Sequence, residues 1–552
     1  MLCAAWIMGA AAPAWVGATV PKRVVLIAGT KSHPVGQHEY LRTIKLLKYL
    51  LEHSPNLSGI VADTYFDGWP KDPHVLESAD AIVTMGDSGD YVKDSRPVSF
   101  YTNERIAIME RAMRRGAGLV TLHSATFAPS AYARQIQDWS GGYFDWQGGN
   151  TEGGFYGSAV DEHTRMWHSI VRTEQAEAIL PSPEHPIANG VQPFAIFDEF
   201  YYQLRFPAAD GWRPIISVPR FATAPADQVV AWALQRPGAG GRGFGFTAGH
   251  FYANWRNDDF RKLILNAIVW SAGLPVPAGG VESRFATDDE VNHAEMVQPL
   301  PTLIVGDGED SEQFTTTLAP AIIAALNSEV PRFATTLSAA PAPLAGDLSK
   351  YRLVVLANCG ALKADAGDRR LAGLRRYLDR GGGMVIVYAP PATAVGTPPG
   401  AAEDTASSNS LARLCKSVRW GRTTDHSSVA DNGWAQTMID MRVADLIHPA
   451  MRGQFDRRIE KWETDFPVDF DMPLDPDMHV LASARSIDTG RDNPMAFTSA
   501  LGRARVSQVV AGEIRMLDVG GKNATPLWMP NLSSLTTGLM RRGSLWAAGE
   551  SE

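Results

Sequence analysis

The same order of sequence landmarks occurs twice along this chain of 552 residues. A continuous apolar, β-branched run at 23–29 (RVVLIAG) is matched by TLIVG at 302–306. A helical pattern that ends in glycines and leads into an apolar strand occurs at 104–122 and again at 368–387. Such runs are typical of parallel strands buried on both faces, and their alternation with helices indicates doubly wound α/β domains.

Three further landmarks keep the same order in both halves: an HPxxxG turn, a strand end, and a tryptophan near the end of a helix. Their paired positions are His185 and His448, His250 and Glu513, and Trp270 and Trp546. We therefore predict two mostly parallel domains at 22–275 and 301–552, the second a diverged copy of the first. A stretch at 276–300, rich in proline, glycine and acids, is predicted to be the linker.

Composition limits the class of protein and its partners. Apolar residues make up 45% of the chain and charged residues 20%, which is ordinary for a globular protein. The 51 lysines and arginines are spread along a chain of net charge −9, so we expect neither nucleic acid nor membrane as a partner. The three cysteines, Cys3, Cys359 and Cys415, form no CxxC pair, which excludes a cysteine-type zinc site.

Residues 1–21 begin with an uncharged, alanine-rich stretch that ends just before Lys22 and Arg23. This pattern resembles a cleaved secretory leader that lacks the usual basic start. We expect either such a leader, and therefore a periplasmic or secreted protein, or a disordered leader on a cytoplasmic one. Pro13 interrupts an already short apolar run, so a transmembrane anchor is not expected.

Histidines are concentrated in the first half, at positions where the second half has other residues. His123 and His250 end predicted strands, and His33 and His38 follow the first strand. Residues kept in both halves are expected to serve the scaffold, whereas residues of one half are candidates for chemistry. Doubly wound sheets bind ligands beyond the carboxyl ends of their strands. Imidazoles gathered there bind a divalent metal or exchange protons near neutral pH.

Carboxylates and aromatic rings accompany these histidines. Glu199 is a candidate metal ligand or general base, and Asp198 a candidate catalytic or histidine-orienting group. The predicted metal or acid–base cluster is His38, His123, His250 and Glu199, with His33 and Glu39 as further ligands. The predicted substrate contacts, chosen because flat rings beside carboxylates suit a sugar, are Tyr143, Tyr202, Arg205, Tyr252 and Trp255. No phosphate-binding glycine loop follows a first strand, so no nucleotide cofactor is expected.

At these residues the chain resembles the ThuA-like, or trehalose-utilisation, family. The matching segments include SHPVGQHEY at 32–40, GLVTLHSA at 118–125, GGYF at 141–144, and longer stretches at 184–206 and 241–275. The resemblance implies a flavodoxin-like sheet within the class I glutamine amidotransferase-like superfamily. It also implies a link to the catabolism of disaccharides oxidised at C3 to 3-keto-glycosides. His123 holds the place of the amidotransferase cysteine, so thiol acyl transfer is not expected.

These observations lead to one main hypothesis and two alternatives. The main hypothesis is an enzyme that uses a divalent metal, or the histidine and glutamate groups alone, on keto-sugars or 3-keto-glycosides by lyase or hydrolase chemistry. The alternatives are a non-catalytic sugar-binding or assembly protein and a sugar isomerase. The second domain is expected to cover the pocket of the first or to form a homodimer surface.

Overall fold

The structure of the chain is a computed structural model. The described residues are 20–66, 68–88, 92–93, 96–97, 101–145, 169–219, 225–238, 240–308, 310–358, 368–388, 420–423, 438–443, 448–451, 459–463, 467–470, 478–485, 492–511, 514, 516–520, 525–532 and 534–550. The three cysteines, Glu513 and most of the predicted leader lie outside these residues. None of the described helices has the length and apolar character needed to cross a bilayer.

Strands of the first half are β1 Lys22–Ala28, β2 Ile60–Tyr65, β3 Ala81–Met85, β4 Val92–Lys93, β5 Arg96–Pro97, β6 Gly118–Leu122, β7 Ile170–Ala178, β8 Phe194–Tyr202, β9 Trp212–Ser217, β10 Val229–Gln235 and β11 Arg242–Phe246. Those of the second half are β12 Leu300–Val305, β13 Phe333–Ser338, β14 Leu353–Ala357, β15 Gly383–Tyr388, β16 Trp420–Thr423, β17 Met438–Val443, β18 Ile459–Glu463, β19 Pro467–Phe470, β20 His479–Arg485, β21 Asp492–Leu501, β22 Ala504–Val510, β23 Met516–Asp518 and β24 Trp528–Pro530.

The α-helices are α1 Tyr40–His53, α2 Asn103–Arg114, α3 Ala133–Ser140, α4 Asp258–Ser271, α5 Asp288–Glu295, α6 Ser311–Gln313, α7 Ala319–Leu326, α8 Arg369–Asp379 and α9 Ser534–Ala547. A π-helical turn, Phe314–Leu318, joins α6 to α7. Polar side chains fix several helix starts: Thr102 accepts from Arg105 N, and Asn257 accepts from Asp259 N and Phe260 N. These contacts satisfy backbone N–H groups that have no partner inside the helix.

The first half is built on a seven-stranded sheet in the order β2-β1-β3-β6-β11-β10-β9. The first five strands are parallel to one another, and the two remaining strand pairs, β11–β10 and β10–β9, are antiparallel. The parallel part has the 2-1-3-4-5 strand order of flavodoxin-like folds. Its central strands are apolar because both faces are covered, and residues 24–28 are fully buried. Helices α1 and α4 pack on one face, and α2 and α3 on the other.

The second half contains a nine-stranded sheet in the order β13-β12-β14-β15-β22-β21-β20-β17-β18. Its first five strands are parallel and repeat the order of the first sheet, while every pair from β22 onward is antiparallel. The predicted α/β class and flavodoxin-like arrangement are confirmed. The second sheet is parallel over only half of its strand pairs, because a long antiparallel extension continues it.

The two halves also share contacts at the predicted landmarks. The His185 ring lies 4.9 Å from the Trp270 ring, and the His448 ring lies 5.2 Å from the Trp546 ring. Each tryptophan is also covered by an arginine, Arg242 or Arg505 respectively. The HPxxxG turn therefore packs against the last helix of each half in the same way. Duplication as the origin of this likeness stays a prediction.

The predicted linker is not plain coil, because α5 lies within it. The helix begins with a capping box in which Thr287 and Glu290 satisfy each other's backbone N–H groups. It packs on α1, where Arg42 pairs with Asp288 and Lys45 Nζ donates to Asn292 Oδ1 at 2.5 Å. The linker is thus an ordered layer between the two halves.

Candidate functional site

Neighbouring parallel strands of the first sheet deliver the histidines to one edge. His38 lies in the loop between β1 and α1, His123 directly follows β6, and His250 follows β11. Because the carboxyl ends of parallel strands lie at the same edge, these loops meet there. His38 and His123 adopt left-handed backbone conformations, with φ of 47° and 52°. Such conformations are costly for residues other than glycine and are concentrated at functional sites.

Three imidazole nitrogens converge at this edge. His38 Nε2 lies 3.0 Å from His123 Nε2 and 3.1 Å from His250 Nδ1, and the latter two atoms are 3.2 Å apart. Glu199 Oε1 lies 3.7 Å from His250 Nδ1 and 3.9 Å from His123 Nε2. We call these four residues the tetrad. Among the described residues it is the single group of three or more such side chains with metal-binding geometry.

The spacing and tautomers of the tetrad fit a divalent metal. His123 Nδ1 lies 2.7 Å from the Thr247 carbonyl, so Nδ1 carries the proton and Nε2 presents a lone pair to the cluster. Two lone pairs 3.0–3.2 Å apart repel unless a cation or proton lies between them. Ligand nitrogens about 2.0–2.1 Å from a tetrahedral zinc ion are about 3.3–3.4 Å apart. Three imidazoles and a carboxylate are a donor set that zinc and similar ions accept.

Burial keeps His123 and His250 neutral, as ligands must be. Burial lowers the pKa of His123 well below its ordinary value, and the neighbouring His38 and His250 lower it further. The pKa of His250 is lowered to about 2, first by burial and then by His38, His33 and Lys31. Burial raises the pKa of Glu199, although hydrogen bonds from Tyr201 and Thr173 oppose the rise. The arrangement thus supplies neutral nitrogen donors beside a carboxyl group with raised proton affinity.

A second layer of polar groups orients His38. Its Nδ1 atom lies 2.9 Å from Ser32 Oγ and 3.4 Å from Asp87 Oδ1, and it contacts the Tyr40 hydroxyl. Tyr40 also donates to Asp87 Oδ1 at 2.8 Å and lies 2.6 Å from Ser124 Oγ. Burial alone would raise the pKa of Asp87, but the hydrogen bond and charge of His38 hold it well below its usual range. A carboxylate behind a ligating histidine is the usual support of a metal site.

Asp87 and Tyr40 were not predicted from the sequence, although a signal for Asp87 was present. Asp87 lies two residues after the end of β3, so the strand-end rule that selected the histidines also applies to it. Tyr40 directly follows the His38-Glu39 pair, but nothing in the spacing marked its hydroxyl as part of the site.

Tyr201, rather than the predicted Tyr202, reaches the tetrad. Its hydroxyl lies 3.1 Å from Glu199 Oε1 and 3.1 Å from His123 Nε2, and its ring stacks on His123. Side chains alternate across a strand, so residue 201 shares the face of Glu199 and residue 202 does not. Tyr202 is fully buried in the core, and its hydroxyl donates to Glu174. The structure therefore places Tyr202 on the face away from the tetrad, and its substrate contact stays a prediction.

Asp198 positions the site and does not enter it. Its carboxylate accepts from the backbone N–H groups of Gly249 at 2.8 Å, Glu199 at 2.7 Å and His250 at 3.0 Å, and from the Asn254 side chain at 2.8 Å. Burial raises the pKa of Asp198 to about 7, while these four donors favour the charged form. These contacts agree with the histidine-orienting alternative, in which Asp198 holds the His250 loop, and its catalytic role stays a prediction.

Two further predicted ligands lie next to the tetrad but outside it. Glu39 Oε1 accepts from Lys31 Nζ at 2.5 Å and from Gly36 N at 2.8 Å, which ties together the loop that carries His38. His33 stacks on His38, with ring centroids 3.6 Å apart, and its Nδ1 contacts Ser32 Oγ. The structure places these residues around the His38 loop and gives neither a ligand position.

Two of the other predicted substrate contacts, Tyr252 and Trp255, pack into the core. Tyr252 packs against Phe285 and the Arg42 guanidinium, on the side of the linker, and Trp255 is fully buried against Phe260. They serve the core because the turn after His250 directs their rings inward. Tyr143 and Arg205 pair through their backbones, and Arg205 Nε donates to Asp145 at 2.7 Å.

The second half lacks an equivalent cluster among its described residues. Tyr388 ends β15 at the position that His123 occupies after β6. The counterpart of His250, Glu513, lies outside the described residues. Among the described residues, such a cluster is thus found in the first half.

Comparisons with known proteins find matches to parts of this chain. Residues 24–271 match the sequence profile of the family described as ThuA, trehalose utilisation. The search of curated proteins found no match. Similar solved structures include a ThuA-like protein from Parabacteroides merdae, with 18% identity, a TM-score of 0.33, and coverage of 49% of this chain and 99% of that one.

Two more solved structures are similar to part of this chain. A ThuA-like protein from Bacteroides uniformis has 16% identity and a TM-score of 0.33, covering 49% of this chain and 98% of that one. Agd3, described as a carbohydrate deacetylase, has 14% identity and a TM-score of 0.29, covering 52% of this chain and 35% of its own. The profile match spans the strands and loops that carry the tetrad, so residues 24–271 of this chain are similar to the ThuA family.

Proposed function

We propose that the N-terminal half is a metal-dependent enzyme that cleaves 3-keto-glycosides by elimination and hydration. The observation that carries the proposal is the tetrad, with three imidazole nitrogens 3.0–3.2 Å apart and one carboxylate oxygen within 3.9 Å of two of them. A carbohydrate substrate is supported by the family, which is described by trehalose utilisation.

His38, His123 and His250 would hold the divalent ion, and Asp87 would fix the orientation of His38. When bound, such an ion polarises carbonyl and hydroxyl oxygens and so stabilises negative charge that develops on them. Because His123 and His250 are buried and their pKa values are lowered, they are suited to binding a cation and poorly suited to acting as acids.

Glu199 is the group that would move the proton. A ketone at C3 acidifies the C2 hydrogen, and Glu199 would remove it as a general base. The electron pair then forms the C1–C2 double bond as the anomeric C–O bond breaks, and protonated Glu199 returns its proton to the departing oxygen. Water later adds across the double bond, so the net reaction is hydrolysis. Burial raises the pKa of Glu199, which suits a group that alternates between base and acid.

The test combines metal analysis with product analysis. Purified protein is analysed by elemental mass spectrometry and incubated with 3-keto-trehalose, and the released sugars are identified. We expect about one divalent ion per chain and release of a monosaccharide, and His123→Ala should lose both. His74→Ala is the matched control, because the His74 side chain is 75% exposed and pairs with Glu77.

Metal-free wild-type protein with unchanged turnover in His123→Ala would overturn the metal-dependent mechanism. Rearranged sugar without bond cleavage would favour the isomerase alternative. Saturable sugar binding without any product would favour the binding-protein alternative.

A further inference from the structure

The β7–β8 ribbon has one face that runs from solvent to the tetrad. Along β8, Phe197, Glu199 and Tyr201 share this face, since side chains alternate along a strand. Their exposure falls steadily inward: Phe197 is 49% exposed, the Glu199 side chain 15% and Tyr201 only 1%. This face therefore leads from solvent to Glu199, the proposed general base.

Residues of β7 complete the same face. In the antiparallel register Thr173 lies opposite Glu199 and Gln175 opposite Phe197, and paired residues point to the same side. Both side chains are exposed, and Thr173 Oγ1 donates to Glu199 Oε2 at 3.4 Å. The outer part of the face is therefore an apolar ring flanked by a hydroxyl and an amide.

The outer ring is fixed relative to the tetrad. The Phe197 ring lies 5.3 Å from the Phe251 ring, which in turn lies 4.6 Å from the His250 ring. Asn254 Nδ2 donates to the Phe197 carbonyl at 2.9 Å and to Asp198 at 2.8 Å, so it ties the ribbon to the His250 loop. An exposed aromatic side chain held this firmly is preorganised for a ligand.

We infer that this face is a second sugar subsite, formed by Phe197 with Gln175 and Thr173, that binds the ring beyond the bond to be cleaved. The inference rests on the proposed function and names the class of substrate: neutral glycosides of at least two rings. Phe197 and Glu199 are two residues apart, which corresponds to about 6.6–6.8 Å along a strand. This distance suits two neighbouring rings of one saccharide. The apolar ring would stack on sugar C–H groups, and the amide and hydroxyl would bond to hydroxyl groups.

The test compares a two-ring with a one-ring substrate in the metal-loaded enzyme. Kinetic constants are measured for 3-keto-trehalose and for methyl 3-keto-glucoside with wild type, Phe197→Ala and Gln175→Ala. For Phe197→Ala we expect KM for the two-ring substrate to rise about 5- to 10-fold, as loss of one aromatic contact implies. KM for the one-ring substrate and the metal content should stay unchanged. Ile179→Ala is the control, because Ile179 is also exposed and follows the far end of β7.

Equal effects of Phe197→Ala on the two substrates, or no effect on either, would overturn the subsite while leaving the proposed function intact. In that case Phe197 would be a contact for another protein chain, which binding measurements with copies of this chain would detect. Failure of the proposed function is a separate result, since His123→Ala would then leave wild-type turnover unchanged.

Discussion

At the scale of single residues, the two adjacent acids Asp198 and Glu199 have different roles because they point to opposite faces of β8. Glu199 faces the three imidazoles, whereas Asp198 faces inward and accepts four N–H groups. The sequence shows two adjacent acids but does not distinguish their roles. Because side chains alternate along a strand, the roles are distinguished once the direction of one side chain is known.

Asp198→Asn is therefore expected to affect stability, and Glu199→Gln to affect catalysis. Asp198→Asn puts an amide N–H against backbone donors, and it should lower the free energy of unfolding by about 1–3 kcal/mol. Glu199→Gln should leave that free energy near the wild-type value but reduce kcat on 3-keto-trehalose by at least about 100-fold. Denaturant unfolding and steady-state kinetics measure the two effects. A stable, inactive Asp198→Asn variant would contradict the assignment.

Asp87 is expected to act on metal affinity through His38. Asp87→Asn removes the carboxylate behind His38 Nδ1, and we expect zinc affinity to fall about 10- to 100-fold. Competition with a chromogenic chelator measures this change. Asp145→Asn is the control, because Asp145 pairs with Arg205 outside the tetrad. Equal zinc affinities for the two variants would argue against a role of Asp87 in orienting His38.

At the scale of elements, the site depends on close approach of strands and helices at the sheet. A Cβ at Gly118, the first residue of β6, would lie 2.3 Å from the Ser271 carbonyl oxygen at the end of α4. At Gly383, the first residue of β15, it would lie 2.2 Å from the Ala547 carbonyl oxygen at the end of α9. Both halves thus use a glycine to seat the last helix against the central strand, which in the first half carries His123.

Gly118→Ala should destabilise the protein through this contact. The new methyl group meets rigid backbone, so we expect the free energy of unfolding to fall by about 1–3 kcal/mol. Gly383→Ala should have a similar cost, while Gly279→Ala should be neutral because a Cβ at that position would meet nothing within 4 Å. Thermal unfolding of the three variants checks this order. A neutral Gly118→Ala would show that the strand and helix separate easily.

At the scale of the whole molecule, the second half supports the first through the β23–β24 hairpin. Met529 is buried in the core of the first half, and Val519 and Leu527 pack against that core. Val519 also lies against Gly36, where a Cβ would approach to 2.4 Å. Because Gly36 belongs to the loop that carries His38, the second half touches the back of the site loop. The second half, which has few histidines, therefore supports the loop that carries His38.

Lys45 lies where the two halves and the linker meet. It lines a cleft of about 180 Å³, and its Nζ donates to Asn292 and to the Asn327 carbonyl. Burial lowers its pKa to about 7, and the charges of Arg541 and Arg42 add to the decrease while Asp288 and Glu295 oppose it. The folded protein thus prefers the neutral amine.

This preference predicts a pH dependence of stability. An unfolded lysine has a pKa of about 10.4, so between about pH 7 and 10 the unfolded state binds more protons than the folded state. Stability should therefore rise with pH over this range, by at most about 1.4 kcal/mol per pH unit from this one group. Lys45→Met should flatten the rise in denaturant unfolding series. Lys48→Met, on the same helix, is the control and should keep the wild-type slope.

Sequence periodicity was sufficient for the α/β class because strand and helix patterns are local. The apolar run at 23–29, the glycine stops and the alternating elements indicate doubly wound α/β domains, and the resemblance to the ThuA-like family implies the flavodoxin-like order. The strand-end rule also selected His38, His123 and His250, since the carboxyl ends of parallel strands meet at one edge, and Glu199 was selected as a carboxylate accompanying them.

The remaining features needed the folded chain because they depend on direction and contact. Only the tertiary structure decided that Tyr201 and not Tyr202 faces His123, that Asp198 holds a loop, and that Asp87 and Tyr40 stand behind His38. It also decided that Tyr252 and Trp255 pack inward and that Phe197 lies exposed beside the site. A residue type and its spacing specify the strand end to which a side chain belongs. The face to which it points, and the groups it meets there, are set by packing between segments far apart in the chain.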